Sequence, residues 1–388
     1  MKKNSASWLL TLSFLFIGLH NKGQEQAKKW QLNGYVKNLS TFSLGGDTLL
    51  FDNLIHNRLN FAYYHSPAFS TIVEFRNRIA TGDQLNFGDA YKQSLDANQD
   101  FFDLSALIID NEDLLFHVML DRAYLQYDKN NWEVKVGRQR INWGINLAWN
   151  PNDIFNAYSY FDFDYEERPG SDAVRVKKYY GYASSIEIAS KITDDSDKLT
   201  AAGMWKFNKW NYDFQVLSGV AAQNIVTGAG WAGNIKNAGF KGESTFYYPF
   251  ENNPDTTKLA LTSVTIDYSF PNSLYLNASV LHNSDGSLSP SQEDLIRYYG
   301  GVISSKLLSP YRWSSFLQGA YQFHPLVYGG LAFIAFPGSY DFFFNPFLTL
   351  SAKQNFDIDL ISQIVMGKSD DKLRVAAQQY YLRFKWSF

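Results

Sequence analysis

"QYYLRFKWSF", Gln379 to Phe388, is written with a strict period of two. Tyr380, Leu382, Phe384, Trp386 and Phe388 form one series, and Tyr381, Arg383, Lys385 and Ser387 form the other. Successive side chains of a β-strand point to opposite faces, so one face here is apolar and aromatic and the other polar and cationic. Alternation of this kind fits a strand that meets lipid on one side and water on the other.

The same period recurs throughout the chain. Phe69, Thr71, Val73, Phe75, Asn77 and Ile79 alternate with Ser70, Ile72, Glu74, Arg76 and Arg78. Leu274, Leu276, Ala278 and Val280 alternate with Tyr275, Asn277 and Ser279. These runs reach about 9–12 residues, where soluble strands average roughly 5–6 and tilted membrane strands need the longer length. Tight connections ("DKNN" 128–131, "NKWN" 208–211, "PNS" 271–273, "KQN" 353–355) contrast with long polar ones at 83–113, 142–172, 249–257, 284–296 and 367–374. Short turns on one side and long loops on the other predict an all-β fold, a transmembrane antiparallel up-and-down β-barrel of about 16–18 strands. The regions 172–191 and 230–248 each read as one strand or two. Tryptophans at 132, 143, 149, 205, 210, 231, 313 and 386 crowd strand ends and turns, as interfacial girdles would.

Composition agrees. The 388 residues are 45% hydrophobic and 17% aromatic, yet the mean hydropathy is negative, at -0.28, so apolar and polar groups are finely interspersed. No cysteine is present, which excludes disulfides, thiol catalysis and Cys-ligated metal. The six histidines fall at no metal-ligand spacing. No cofactor is expected, and a net charge of -3 gives no support for a nucleic-acid partner.

Lys2 and Lys3 precede the apolar run Trp8–Leu19, the pattern of a secretory signal peptide, expected over 1–23. Residues 24–388 then form one barrel, with no linker dividing them and no room before Trp30 for a plug domain. In lipid every backbone amide must pair, and strands achieve this only in a closed barrel.

Val136–Val176 departs from plain alternation: "VGRQRINWGINLAWNPNDIFNAYSYFDFDYEERPGSDAVRV". Its charges, prolines and glycines predict a loop at about 142–172 folded into the lumen, where opposed charges set selectivity. The phase of Arg138 and Arg140 is awkward, since both continue the outward series Trp132, Val134 and Val136. A phase-flipping bulge at Gly137, or a strand that has already left the bilayer, would keep them out of lipid. Glu74, Arg76, Arg78 and Arg122 belong to inward series of their own strands. The candidate pore-lining set is therefore Glu74, Arg76, Arg78, Arg122, Arg138, Arg140, Arg168, Asp172 and Arg175.

"GRQRINWG", "NPNDIFN" and "ERPGSDAVR" resemble signatures of porin-like outer-membrane barrels, the group that includes alginate-export-type channels. The resemblance covers about a tenth of the chain closely. It implies passive passage, with Arg138, Arg140, Arg168 and Arg175 as lumen residues; the acidic "DFDYEE" departs from a purely basic pore. The terminal Phe388 resembles the signal read by bacterial barrel-assembly machinery.

The expected function is a porin or passive channel of the bacterial outer membrane for small polar or charged solutes. Its partners would be outer-membrane lipid, the assembly machinery and the solute, with a homo-oligomer left open. Two alternatives stand beside it. One is a non-conducting scaffold barrel. The other is a lipid hydrolase, because "HNSDG" (His282–Gly286) resembles a stretch of outer-membrane phospholipases in which a His and a Ser two residues apart act together, here His282 and Ser284. The same residues are ordinary turn chemistry, so no enzyme is expected.

Overall fold

The computed structural model describes residues 28–45, 48–95, 100–157, 160, 170–299, 304–369 and 372–388. The expected signal peptide and Arg168 lie outside them. The strands are β1 (Trp30–Gly45), β2 (Thr48–Ser66), β3 (Phe69–Gly82), β4 (Ser105–Asp110), β5 (Leu115–Lys129), β6 (Trp132–Gln139), β7 (Ser171–Tyr179), β8 (Ser185–Lys191), β9 (Thr200–Lys209) and β10 (Tyr212–Ala221). They continue as β11 (Asn224–Ile235), β12 (Ala238–Pro249), β13 (Leu259–Ser269), β14 (Leu274–Asn283), β15 (Trp313–His324), β16 (Val327–Ala335), β17 (Phe342–Lys353), β18 (Phe356–Ser369) and β19 (Lys372–Ser387). Two short helices, α1 (Asp89–Leu95) and α2 (Gln292–Tyr299), lie in long connections.

All strand pairs are antiparallel, and β1 pairs with both β2 and β19, which closes the sheet. One edge of β5 faces β3. Its other edge is shared: β6 takes Ala123–Lys129 and β4 takes Leu115–Met119. β4 therefore extends the wall beyond the end of the short β6, and the barrel proper has 18 strands. The regions 172–191 and 230–248 each hold parts of two strands.

The seam matches the reading of the terminal stretch. Tyr35 faces Ser387, Phe42 faces Tyr380, and the backbones of Gly34 and Phe388 exchange two hydrogen bonds of 3.0 Å. Outward groups on β19 are open, with Tyr380 39% and Trp386 40% exposed, while Arg383 turns to the carboxylate of Asp359 across β18.

Every tight turn expected from the sequence lies at the end of the barrel that carries the seam's Phe388. Two of them have the left-handed backbone that type I′ two-residue hairpins require, with φ 50° and 65° at Asn130 and Asn131 and 55° and 61° at Trp210 and Asn211, and the other two have one such residue each, Ser273 (70°) and Asn355 (63°). Asparagine tolerates that region better than most side chains. The opposite end carries the other expected long connections, but 367–374 is not one of them: β18 and β19 stay paired out to Ser369 and Lys372, and the tight turn at Ala222–Gln223 also lies at this end.

Outward positions are apolar and exposed, as Ile186 and Ile188 on β8 or Val216 on β10 show, while the alternating Glu187, Ala189 and Gln215 are buried. Among the tryptophans, Trp132, Trp205, Trp210, Trp313 and Trp386 are exposed. Trp143 and Trp149 are not girdle residues: they are buried with the interior segment that follows β6.

Candidate functional site: the barrel interior

An 18-stranded ring is wider than its own side chains can fill. What occupies it here is the chain after β6. Ile141, Trp143, Ala148, Trp149, Ile154 and Phe155 are all buried, packed with inward residues such as Met204, Leu217, Tyr247 and Phe316. Trp149 and Phe316 meet edge to face at 6.3 Å. Much of the interior from β8 to β16 is thus filled by an apolar cluster around this segment, with polar wall residues such as Glu187, Gln215 and Glu243 set into it.

The segment's irregular backbone needs partners for its polar groups, and its own short polar side chains supply several. Asn156 Oδ1 accepts from Ile141 N–H at 3.0 Å, Asp153 Oδ1 from Trp143 N–H at 3.4 Å, and Asn150 Oδ1 from Asn146 N–H at 2.8 Å. The wall supplies others. Glu243, an inward residue of β12 with no exposed surface, accepts from the backbone N–H groups of Ile145, Asn146 (3.1 Å) and Asn152 (2.9 Å). Gln215 donates to the Trp143 carbonyl at 2.7 Å, and Thr245 donates to Asn152 Oδ1 at 2.6 Å. Trp143 Nε1 donates to Glu187 at 2.7 Å, and Arg175 holds the same carboxylate through Nε at 2.7 Å and Nη2 at 3.0 Å. Gly228 permits the approach: a Cβ there would stand 2.5 Å from Asn152 Oδ1.

The other side of the interior is charged. Arg58 on β2 is bound by Glu74 on β3 and Asp121 on β5, and Arg76 reaches Asp121 at 3.3 Å. A bulge makes this cluster. Glu74 faces Arg122 and Phe75 faces Leu120, so Asp121 is the extra residue, and its carboxylate joins the inward arginines. Arg122 Nη1 donates to the Asp121 carbonyl at 2.8 Å, and Arg78 is bonded to the carbonyl of Leu95 in α1 and lies 3.2 Å from His117 Nδ1. Further round, Arg383 Nε donates to Asp359 at 2.9 Å, Thr349 donates to the same carboxylate at 2.6 Å, and Lys37 and Lys385 both lie over the Tyr35 ring.

The sequence-derived candidates therefore separate. Glu74, Arg76, Arg78 and Arg122 sit together on one wall, and Arg175 joins Glu133 (3.0 Å) and Glu187 on another. Arg138 and Asp172 form a third group. Gly137 has φ 119°, yet both registers run through it without a shift, so Arg138 keeps the outward phase opposite Ala123. It is only 4% exposed because Asp172 grips it at 2.9 and 2.8 Å and the Phe102 carbonyl takes another N–H. Phe102 N–H in turn donates to Asp172 at 2.8 Å. Arg138 is kept from lipid by this clamp on the segment before β4. Arg140 is half-buried just past β6. Sequence reading missed Arg58, Asp121, Glu187 and Glu243; the isolated Glu in "FKGESTF" was the one available signal for the last.

His282 and Ser284 each have other neighbours. The His282 ring lies against Trp313 at 4.5 Å, and Ser284 Oγ accepts from Ala260 N–H at 2.8 Å. Asn283 between them accepts from Asp285 N–H, which is turn chemistry.

No protein-family model and no curated protein matches this sequence. Solved structures do match in fold. OccK8 (OprE) of Pseudomonas aeruginosa aligns with a TM-score of 0.59 at 7% identity, over 92% of this chain and 98% of that one. OccAB2 of Acinetobacter baumannii gives 0.57 at 7% identity, over 92% and 98%. The outer membrane protein OpdK of Pseudomonas aeruginosa gives 0.56 at 9% identity, over 92% and 98%. The chain has the closed 18-stranded antiparallel architecture of outer-membrane porin structures.

Proposed function

We propose that this chain is a passive channel of the bacterial outer membrane for small polar or charged solutes. The observation that carries the reading is the division of the interior. Much of one half is filled by the apolar cluster on the segment after β6, and the other half carries the paired charges of Arg58, Glu74, Arg76, Asp121, Asp359 and Arg383. Solutes pass along the charged half, and the segment narrows the opening from the other side. Fixed charges beside a hydrated path discriminate ions without energy coupling. The shared fold supports the outer membrane as the location, and the Gly34–Phe388 seam supports recognition of the last strand by assembly machinery. An alginate-export-type specialisation rests on the three short motifs alone.

The test is conductance of the purified, folded protein in planar bilayers, with reversal potentials in asymmetric salt. Discrete steps with a reproducible ion preference are expected, and a folded protein that gives none would sink the channel. That outcome would favour the scaffold barrel, for which the buried Trp143 and Trp149 inside the ring are the supporting observation.

A further inference from the structure

The outward-facing asparagines of the described strands lie on β1, β2 and β3 alone. Asn38, Asn53, Asn57 and Asn77, joined by Ser40, occupy outward positions in three neighbouring strands. Asn57 stands between Val36 and Asn77 in register, and Asn38 is opposite Ile55. Val36, Ile55 and Phe75 around them are exposed and apolar, and Phe42 and Phe51 meet at 5.0 Å beside them. Asn38, Asn57 and Asn77 each sit near the middle of their strands. Three of the four amides are thus near mid-strand on the apolar wall, with Asn53 and Ser40 continuing toward the Phe42–Phe51 pair, and hydrocarbon offers such groups no hydrogen bonds.

The amides satisfy one another in part. Asn38 and Asn53 exchange bonds of 2.8 and 3.3 Å, Asn53 also donates to Ser40 at 3.0 Å, and Asn77 donates to Asn57 at 3.0 Å. Asn57 donates to the Tyr35 carbonyl at 3.1 Å. Each carboxamide offers two N–H groups and two lone pairs, so these bonds leave capacity over. The Asn77 carbonyl oxygen takes no bond among the described residues.

We infer that the outer face of β1–β3 is a contact between copies of this chain, made patch to patch within the bilayer. The cluster is uncharged and carries donors and acceptors together, so it complements itself, as an interface between identical copies demands. Interhelical amide pairs join membrane segments by the same chemistry. A phosphate headgroup does not fit, because the patch has no cation. Each copy keeps its own closed lumen, so the contact is independent of the channel reading.

The chain has no cysteine, so an introduced one reports alone. Ile55→Cys at the patch and Ile188→Cys on β8 would be oxidised in the full-length protein in lipid vesicles. Ile55→Cys should give a covalent dimer and Ile188→Cys should not. Combining Ile55→Cys with Asn38→Leu, Asn53→Leu, Asn57→Leu and Asn77→Leu should cut the cross-link about ten-fold. Heat-modifiable gel migration would show that the variant is folded, and Asn77→Leu alone gives the same readout should the combination fail to assemble. Cross-linking that is equal at both sites, absent from Ile55→Cys, or unchanged by the leucines overturns the inference. So does a wild-type monomer by native mass spectrometry from bilayer nanodiscs, including one retaining a lipid or another polypeptide on the patch.

Discussion

Two Arg–Asp pairs in this barrel have the same register relation and different surroundings. Arg138 faces Asp172 across β6 and β7, and Arg383 faces Asp359 across β18 and β19. Both make a bond of 2.9 Å through Nε. Arg383 belongs to the inward series of its strand, and Thr349 shares its carboxylate. Arg138 belongs to the outward series and is sealed by the backbone of Phe102, which bonds to both partners. A cross-strand ion pair is therefore not a pore residue by virtue of its charge. What decides its role is the third group that reaches it.

The difference can be broken most severely at Arg138. Arg138→Ala would leave Asp172, 1% exposed, without its cation. Removing one partner of a buried pair costs about 3–5 kcal/mol, because the other charge stays buried. Urea unfolding in micelles should show a loss of that order, with poorer folding yield. Replacing both residues by leucine should recover most of the stability, since no charge is then stranded. A structural clamp predicts this recovery together with unchanged ion selectivity. If Arg138→Ala instead folds normally and alters selectivity, Arg138 lines the pore after all.

Glu243 gives a middle case, a carboxylate whose partners are backbone amides. Glu243→Ala would strand the N–H groups of Ile145, Asn146 and Asn152, at about 1–3 kcal/mol for each group left unsatisfied. The ring of strands does not depend on those bonds, so the barrel should assemble with the interior segment loosened. Single-channel traces should become noisier and shift in conductance. Quiet traces of wild-type amplitude would mean that the segment does not border the path.

How much of this was legible depends on how local its cause is. The period of two is written in each strand, so the barrel, its turn end and its closing strand follow from the sequence alone. The strand number needed the turns between Tyr179 and Ser185 and between Ile235 and Ala238, which carry weak turn signals. The bulge at Asp121 was missed although the adjacent charges of Asp121 and Arg122 in "LDRAY" break the alternation, because that break alone does not say which residue is the extra one. It becomes a bulge only when Glu74 selects Arg122 as its partner. The clamp at Arg138 was invisible for a related reason: Phe102 comes from a different connection, and its contribution is backbone. Of the candidate set, residues placed by strand parity alone (Glu74, Arg76 and Arg78) fall on one wall as their spacing implied. Those in the aperiodic stretch needed coordinates.

The gentlest intervention is at the second pair. Arg383→Ala leaves Asp359, itself 4% exposed, without its cation, so some stability should be lost, but Thr349 still donates to it and the barrel should fold. A single charge acts on an ion about 4 Å away with roughly 1 kcal/mol in water. That sets a scale of about five-fold for each ion, in opposite directions for cations and anions, so the cation-to-anion ratio should rise by up to roughly thirty-fold in water, and salt should erode it through screening. Asp359→Asn should shift the reversal potential the opposite way, toward anions, because Arg383 then stands alone. Opposite signs from the two halves of one pair are what a pore-lining position requires. If both variants leave the reversal potential at its wild-type value, the path lies elsewhere in the interior, and the Arg383 pair joins the Arg138 pair as part of the wall.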